Sequence, residues 1–365
     1  MTRLIYFSRD YTNHDLRFLS ALASTEYEVF YLRLECRREQ LEDRPLPVEI
    51  HQVKWVGGTR TVSILDGPNL LFDLRRVIKR IKPNLIHAGP IQRSAFLVAL
   101  LGFKPLVSVS WGYDLLHDAN RNRFWRFATK FTLQRSAIMI GDCDKVRKQA
   151  VELGMPDDKI VTFPWGIDLN FFTPGKFPSK GRNQFTILST RNWEPIYGVE
   201  ILAKAFVKAA NQFEGLRLIL LGNGSQASYL RQIFTRGGVL DRVIFPGQVT
   251  HTDLPNFYKM SDFYVSASRT DGSSISLLEA LASGRPVIVS DIPGNREWVE
   301  PGINGWWFKD GDEEDMARII LEAVDQRQQI YEMSRAARQL AEKRADWDKN
   351  FPNLLYAYEA ALKQT

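Results

Sequence analysis

Between Phe263 and Ser290 the chain spells a strand, a Gly/Ser turn, a helix and a second strand in quick succession, an order that few folds accommodate. Phe263 to Ser268 alternates apolar and small residues like a buried strand, Ser273 and Ser274 offer N-cap hydroxyls to the LLEALA helix, and Gly284 with Pro286 stops it. Val287 to Ser290 resumes a β-branched run, so the stretch predicts the repeating unit of a parallel sheet. The N–H groups of Gly272 to Ile275 fall at the start of the helix, where unpaired donors and the helix dipole favour a phosphate. Asp271 and Glu279 bracket that anion site. An acid beside an anion is electrostatically costly unless it grips something else, and the hydroxyls of a sugar or ribose answer that need. The stretch therefore reads either as a nucleotide-sugar site or as a capped helix with two solvated acids.

The same alternation runs through the rest of the chain. Leu4 to Phe7 opens as a strand, and the loop SRDYTNHD leads into the helix LRFLSALAS. That loop lacks the glycines of a dinucleotide fingerprint and carries Arg9, Tyr11, Asn13, His14 and Asp15 instead, which suits an acceptor-facing position at the crevice of an open sheet. Strands are expected at Glu28 to Leu34 and Glu49 to Trp55. An amphipathic helix is expected from Leu70 to Ile81, followed by strand LIHAG, helix QRSAFLVALLG and strand LVSVSWG. In the segment 118–135, Phe124, Trp125, Phe127 and Phe131 interleave with Arg121, Arg123, Arg126 and Lys130. This pattern reads either as a helix lying on an anionic membrane surface or as a core stripe. Asp142 and Asp144 have the spacing of a metal-binding DxD pair, but no further carboxylate lies nearby, and no metal is expected. After the Pro/Gly-punctuated stretch 164–185 a second series of strands and helices begins, so two Rossmann-like domains are expected with a cleft between them as the default site.

With 365 residues, the chain is long enough for two domains. MTRLIYFSRD becomes charged too soon for a signal peptide, the apolar run Ala95 to Phe103 is too short to span a bilayer, and Cys36 and Cys143 read as reduced structural thiols. These features point to a cytoplasmic location, peripheral to the inner membrane face if segment 118–135 docks there. The first 165 residues carry a net charge of +7 and the remainder −1, which suits an anionic lipid or acceptor on the first half. Nucleic acid is not expected, because the basic residues belong to no recognised reading module.

Several motifs in order resemble a retaining glycosyltransferase of family 4 with the GT-B architecture: SAIMIGDCDKVRKQAVELGMPDDKIVTFPWGIDLNFFTPG, LILLGNGSQ, RVIFPGQV, DLPNFYKMSDFYVSAS and DGSSISLLEALASGRPVIVSDIPG. The resemblance implies an α/β GT-B fold of two tandem Rossmann-like domains. The acceptor domain would be 1–167 plus about 347–365, with the C-terminal helix returning to it, and the donor domain 168–346. It implies that Asp271 contacts sugar hydroxyls, that Glu279 holds the ribose, and that the amides of Ser274, Ile275 and Ser276 receive the diphosphate of a UDP- or GDP-type sugar. Arg191 would pair with phosphate, with further donor contacts from Asn223, Gly224, Gln248, Val249 and Tyr197. Arg9, His14, Trp111 and Asp114 are the expected acceptor-side residues.

Three positions depart from the family pattern. Asp271 stands where the family has Glu, Tyr197 where it has a phosphate-binding Lys, and Trp111 where many members have His. The implied reaction is metal-independent hexosyl transfer with retention, to a glycan or lipid-linked glycan, without any cofactor beyond the donor. The alternatives are a GT-B epimerase and a non-catalytic nucleotide-sugar binder.

Overall fold

The computed structural model describes residues 1–36, 44–175 and 183–364. It divides into two compact units, Met1–Phe163 with Phe351–Thr365, and Pro164–Asn350. Each is a parallel sheet with helices on its faces. The expected linker 164–185 lies outside the described residues at 176–182.

In the first unit, β1 (Thr2–Ser8), β2 (Tyr27–Arg33), β3 (His51–Gln52), β4 (Leu85–Ala88), β5 (Leu106–Val109), β6 (Ile138–Gly141) and β7 (Ile160–Thr162) pair in the order β3-β2-β1-β4-β5-β6-β7. All pairings are parallel. Helix α1 (Asn13–Ala23) connects β1 to β2, and Thr12 with Asp15 forms a capping box at its start. Helix α2 (Gly67–Ile81) presses Leu70, Leu74, Val77 and Ile81 onto the sheet beside α3 (Phe96–Leu100). Helices α4 (Arg123–Arg135) and α5 (Asp144–Glu152) precede β6 and β7.

Three expected elements differ. The strand expected over Glu49 to Trp55 is a short edge strand that pairs with β2 only at His51–Gln52. The helix expected over QRSAFLVALLG starts as a wide π-type turn, Ile91–Ala95, after Pro90, and runs as regular helix only over Phe96–Leu100. In α4 the buried stripe is Ala128, Thr129, Thr132 and Leu133, so Phe124 and Phe127 stand exposed and the core-stripe reading fails for both.

In the second unit, β8 (Phe185–Ser189), β9 (Leu216–Leu221), β10 (Val243–Gly247), β11 (Phe263–Ser266), β12 (Val287–Ser290) and β13 (Gly305–Phe308) pair in the order β10-β9-β8-β11-β12-β13. Successive residues of one strand serve opposite cores, as a sheet covered on both faces requires. Ile187, Leu218, Val265 and Ile288 pack with α6 (Val199–Gln212), α7 (Ala227–Arg236) and α10 (Glu313–Asp325), counting α8 (Leu254–Met260) and α9 (Ile275–Ala282) between them. Leu188, Ile219, Tyr264 and Val289 pack with α9 and α11 (Ile330–Arg344). Helix α12 (Pro352–Leu362) belongs to the first unit, where Tyr358 shares a 2.7 Å hydrogen bond with buried His87. Neither α7 nor β13 is evident from the sequence reading above.

Candidate active site

The second sheet changes direction between β8 and β11. From β8 the chain moves outward through β9 to β10 on one side, and β11 to β13 fill the other. The loops leaving adjacent β8 and β11 therefore part company, and this opens a crevice at the carboxyl ends of the strands. Arg191 leaves β8 into that crevice, while Asp271 and the start of α9 follow β11.

The side chains there form one hydrogen-bonded group. Arg191 donates through Nη1 to Ser274 Oγ (2.9 Å) and Ser276 Oγ (3.1 Å), and through Nη2 to Asp271 Oδ2 (2.8 Å). Tyr264 donates to Ser276 Oγ at 2.7 Å. Tyr258 donates to Glu279 Oε2 at 2.9 Å and to the Ser276 carbonyl at 3.0 Å. Burial of the Asp271 carboxyl raises its pKa, and this outweighs the lowering effect of Arg191. Burial alone would lower the Arg191 pKa, but the adjacent Asp271 charge leaves it raised. Tyr258 is held well above its ordinary value by burial and then by Glu279, so its hydroxyl stays a donor.

Ser274, the N-cap residue of α9, makes no side-chain cap hydrogen bond. Ser273 Oγ accepts from Trp298 Nε1 at 3.1 Å, and Ser274 Oγ accepts from Arg191 Nη1 at 2.9 Å. The reason is competition: a charged guanidinium and an indole N–H are close enough to claim both hydroxyls. That N-cap, without a side-chain cap hydrogen bond among the described residues, lies at the place where an anion is expected from the sequence.

The backbone under the site is tightly packed. A Cβ on Gly294 would stand 2.3 Å from the Asp271 carbonyl oxygen and 2.6 Å from that of Gly272, so only glycine lets the turn after β12 support the Asp271 loop. Ser290 Oγ also donates to the Ser268 carbonyl at 2.5 Å. The loops after β8 and β9 are joined by Trp193 N donating to the Asn223 carbonyl (3.0 Å), Gln226 N to the Trp193 carbonyl (3.0 Å) and Ser225 Oγ to Glu194 (2.5 Å). Asn223 and Gln248 are exposed, and Gly224 and Val249 are half-buried, all at the carboxyl ends of β9 and β10. Tyr197 ends a tight turn, Pro195–Tyr197, with its ring beneath Arg191.

The expected acceptor-side residues lie in the first unit, after β1 and β5. His14 and Trp111 bring their ring centroids to 5.5 Å, and burial pushes the His14 pKa down to about 3. Asp114 does not offer a free carboxylate. It is buried and accepts from the N–H groups of Ile91, Trp111 and Leu115 and from Ser110 Oγ, so it shapes the loop after β5 from within. Arg9 is paired with buried Glu35 at 2.5 Å. Asp144 pairs with Lys148 at 2.9 Å, and Asp142 is buried. Sequence reasoning missed Tyr258, Tyr264 and the Ser276 hydroxyl as parts of the site. Ser274 and Ser276 stand two apart, a spacing that does not place side chains on one helix face, so the sequence carries no signal that both meet one cation.

Two family models match the chain, "Glycosyl transferase 4-like domain" over residues 13–166 and "Glycosyl transferases group 1" over 175–344. The UDP-Gal:alpha-D-GlcNAc-diphosphoundecaprenol alpha-1,3-galactosyltransferase of Escherichia coli is 25% identical over 290 residues, 73% of this chain and 73% of that protein. Other curated relatives match over shorter stretches, of whose full length the chain spans 28% to 41%. Among solved structures, sucrose-phosphate synthase from Thermosynechococcus elongatus superposes with a TM-score of 0.85 at 16% identity over 100% of both chains. Anabaena Alr3699/HepE in complex with UDP-glucose does so with 0.79 at 20% identity, covering 99% of this chain and 100% of that one. At those identities the structures speak for the fold, which is GT-B. The two family models together span most of the described chain, and it belongs to the group 1, family 4-like glycosyltransferases.

Proposed function

We propose that the chain moves a hexosyl group from a nucleoside diphosphate sugar to a hydroxyl acceptor, with retention at the anomeric carbon and without a catalytic metal. The observation that carries this reading is the Arg191 guanidinium, its side chain only 12% exposed, beside an α9 whose N-cap makes no side-chain hydrogen bond, with Asp271 and Glu279 on either side. A cation and a helix N-terminus together neutralise a diphosphate, while the two acids hold the sugar and the ribose hydroxyls. The neighbour with UDP-glucose bound and the galactosyltransferase relative make a UDP-type donor the first choice.

As the donor's C–O bond to phosphate breaks, charge grows on the leaving oxygen. Donors already aimed there supply the largest catalytic contribution, and removing one typically costs on the order of 10²–10³ in rate. The acceptor oxygen forms its new bond to the anomeric carbon on the same face, and its proton passes to the departing phosphate. Asp271 is already held by Arg191 and Ser274, which favours a binding role for it over a nucleophilic one.

We assign a lipid-linked or glycan acceptor to the first unit. Phe124 and Phe127 stand exposed on α4 beside exposed Arg123, Arg126 and Lys130, and Phe72 stands exposed on α2 among Arg75, Arg76, Lys79 and Arg80. Helix α2 packs on a core that Phe131 of α4 also touches, while Leu133 of α4 packs into a second cluster. Apolar side chains ringed by cations suit an anionic membrane surface. No helix among the described residues is long and apolar enough to cross a membrane.

A thermal-shift screen of nucleoside diphosphates and their sugars tests the donor. Ligand at ~100 times its dissociation constant adds about 2.7 kcal/mol to stability, and no shift with any diphosphate would refute the reading. Slow donor hydrolysis without acceptor separates an enzyme from a pure binder, and free donor epimer among the products would mark an epimerase.

A further inference from the structure

The contacts of Arg191 divide by geometry. Its in-plane N–H groups serve Asp271, Ser274 and Ser276, and its Nε has no hydrogen-bond acceptor among the described residues. Its Cζ lies over the Tyr197 ring, 4.2 Å from the centroid. The ring itself is well anchored. It also packs against the core beneath α6, its turn begins at Pro195, and Gly198 closes that turn at φ +59°. The Arg269 N–H donates to the Ile196 carbonyl at 3.1 Å and ties the same turn to the loop that carries Asp271.

A guanidinium binds oxygens through its edge and an aromatic ring through its face, so the two kinds of contact do not compete. That matters when a donor arrives. Asp271 must then turn to sugar hydroxyls, and the in-plane N–H groups exchange a carboxylate for phosphate oxygens. An arginine held by its carboxylate alone would follow it or regain rotamer freedom. The ring contact survives the exchange.

We propose that Tyr197 is a positioning residue that holds the plane of Arg191 for the distal phosphate of the donor, doing by its ring what a second cation would do by charge. This rests on the nucleoside diphosphate reading above, and the test separates the two. Binding of UDP, GDP and the corresponding monophosphates is measured by calorimetry. If the wild-type chain binds neither diphosphate, the donor reading fails and this inference with it. If it does bind one, Tyr197→Phe stays within about twofold, while Tyr197→Leu weakens the diphosphate roughly 5–30-fold and the monophosphate less than about twofold. In an Arg191→Gln background the Leu substitution adds less than about twofold, because its effect passes through the arginine.

Progressively fluorinated phenylalanines at position 197 keep the ring's shape and drain its negative face, which avoids any loss of folding in the leucine variant. Diphosphate affinity falls stepwise along that series. Equal affinity across the fluorinated series, or a Tyr197→Leu loss that is the same for mono- and diphosphate or undiminished in the Arg191→Gln background, overturns the proposal.

Discussion

Replacing Arg191 by methionine isolates how much of the second unit's stability is held in its polar centre. The substitution keeps length and apolar stem but removes a guanidinium with three side-chain hydrogen bonds, one to a carboxylate. Breaking a buried pair from one side costs ~3–5 kcal/mol, since the partner charge is left behind. The Asp271 side chain keeps 19% of its exposure, and its pKa is already raised, so it escapes part of that cost by taking a proton. We expect a loss of roughly 2–4 kcal/mol at pH 7.5, which lowers the melting temperature of a unit this size by about 4–12 °C. The deficit shrinks as pH falls toward 5, because a neutral Asp271 no longer needs the cation. Adding Asp271→Asn to Arg191→Met should recover at least half of it. Differential scanning calorimetry of the three proteins at both pH values reads this directly. A single variant as stable as wild type, or a double variant no better than the single, would refute the idea that the pair is a desolvated unit.

The remaining expectations concern other residues. Glu279→Gln keeps an acceptor for Tyr258 and so keeps the fold, but weakens a nucleoside diphosphate by roughly 10–100-fold while leaving the 2′,3′-dideoxy analogue unchanged. Equal losses for both nucleotides would remove the ribose from Glu279. Burial pushes the Asp114 pKa up to about 6 against its hydrogen bonds, so the folded chain retains a proton that the unfolded chain releases. Its contribution to stability is present below the ordinary carboxylate value and lost as pH rises toward 6. Melting curves of Asp114→Asn should therefore gain on wild type over that window, by up to ~1.4 kcal/mol per pH unit, and parallel curves would contradict it. Reversing Arg123 and Arg126 to glutamate should lower cosedimentation with vesicles containing anionic lipid and leave binding to neutral vesicles unaltered. No change with anionic vesicles would leave the acceptor surface elsewhere.

Much of the site's framework was legible because it is local. The alternation of Phe263 to Ser268, the Gly/Ser turn and the LLEALA run dictate strand, turn and helix from neighbouring residues alone, and they place Asp271 and Glu279 around the helix start before any packing is known. The buried face of α2 was equally readable, since Leu70, Leu74, Val77 and Ile81 recur at helical spacing. Tertiary structure decided which polar groups satisfy one another. Arg191 meets Ser274, Ser276 and Asp271 across some eighty residues of sequence, because β8 and β11 are neighbours in the sheet. That proximity turns one expected helix cap, Ser274, into a ligand of a cation, and the turn after β8 sets a tyrosine ring against that cation. In the first unit it closes Asp114 inside its own loop and leaves Phe124 and Phe127 outside the core. Periodicity reports which face of a helix is apolar. Strand order and crossover direction alone determine which of those faces, and which charges, the fold encloses.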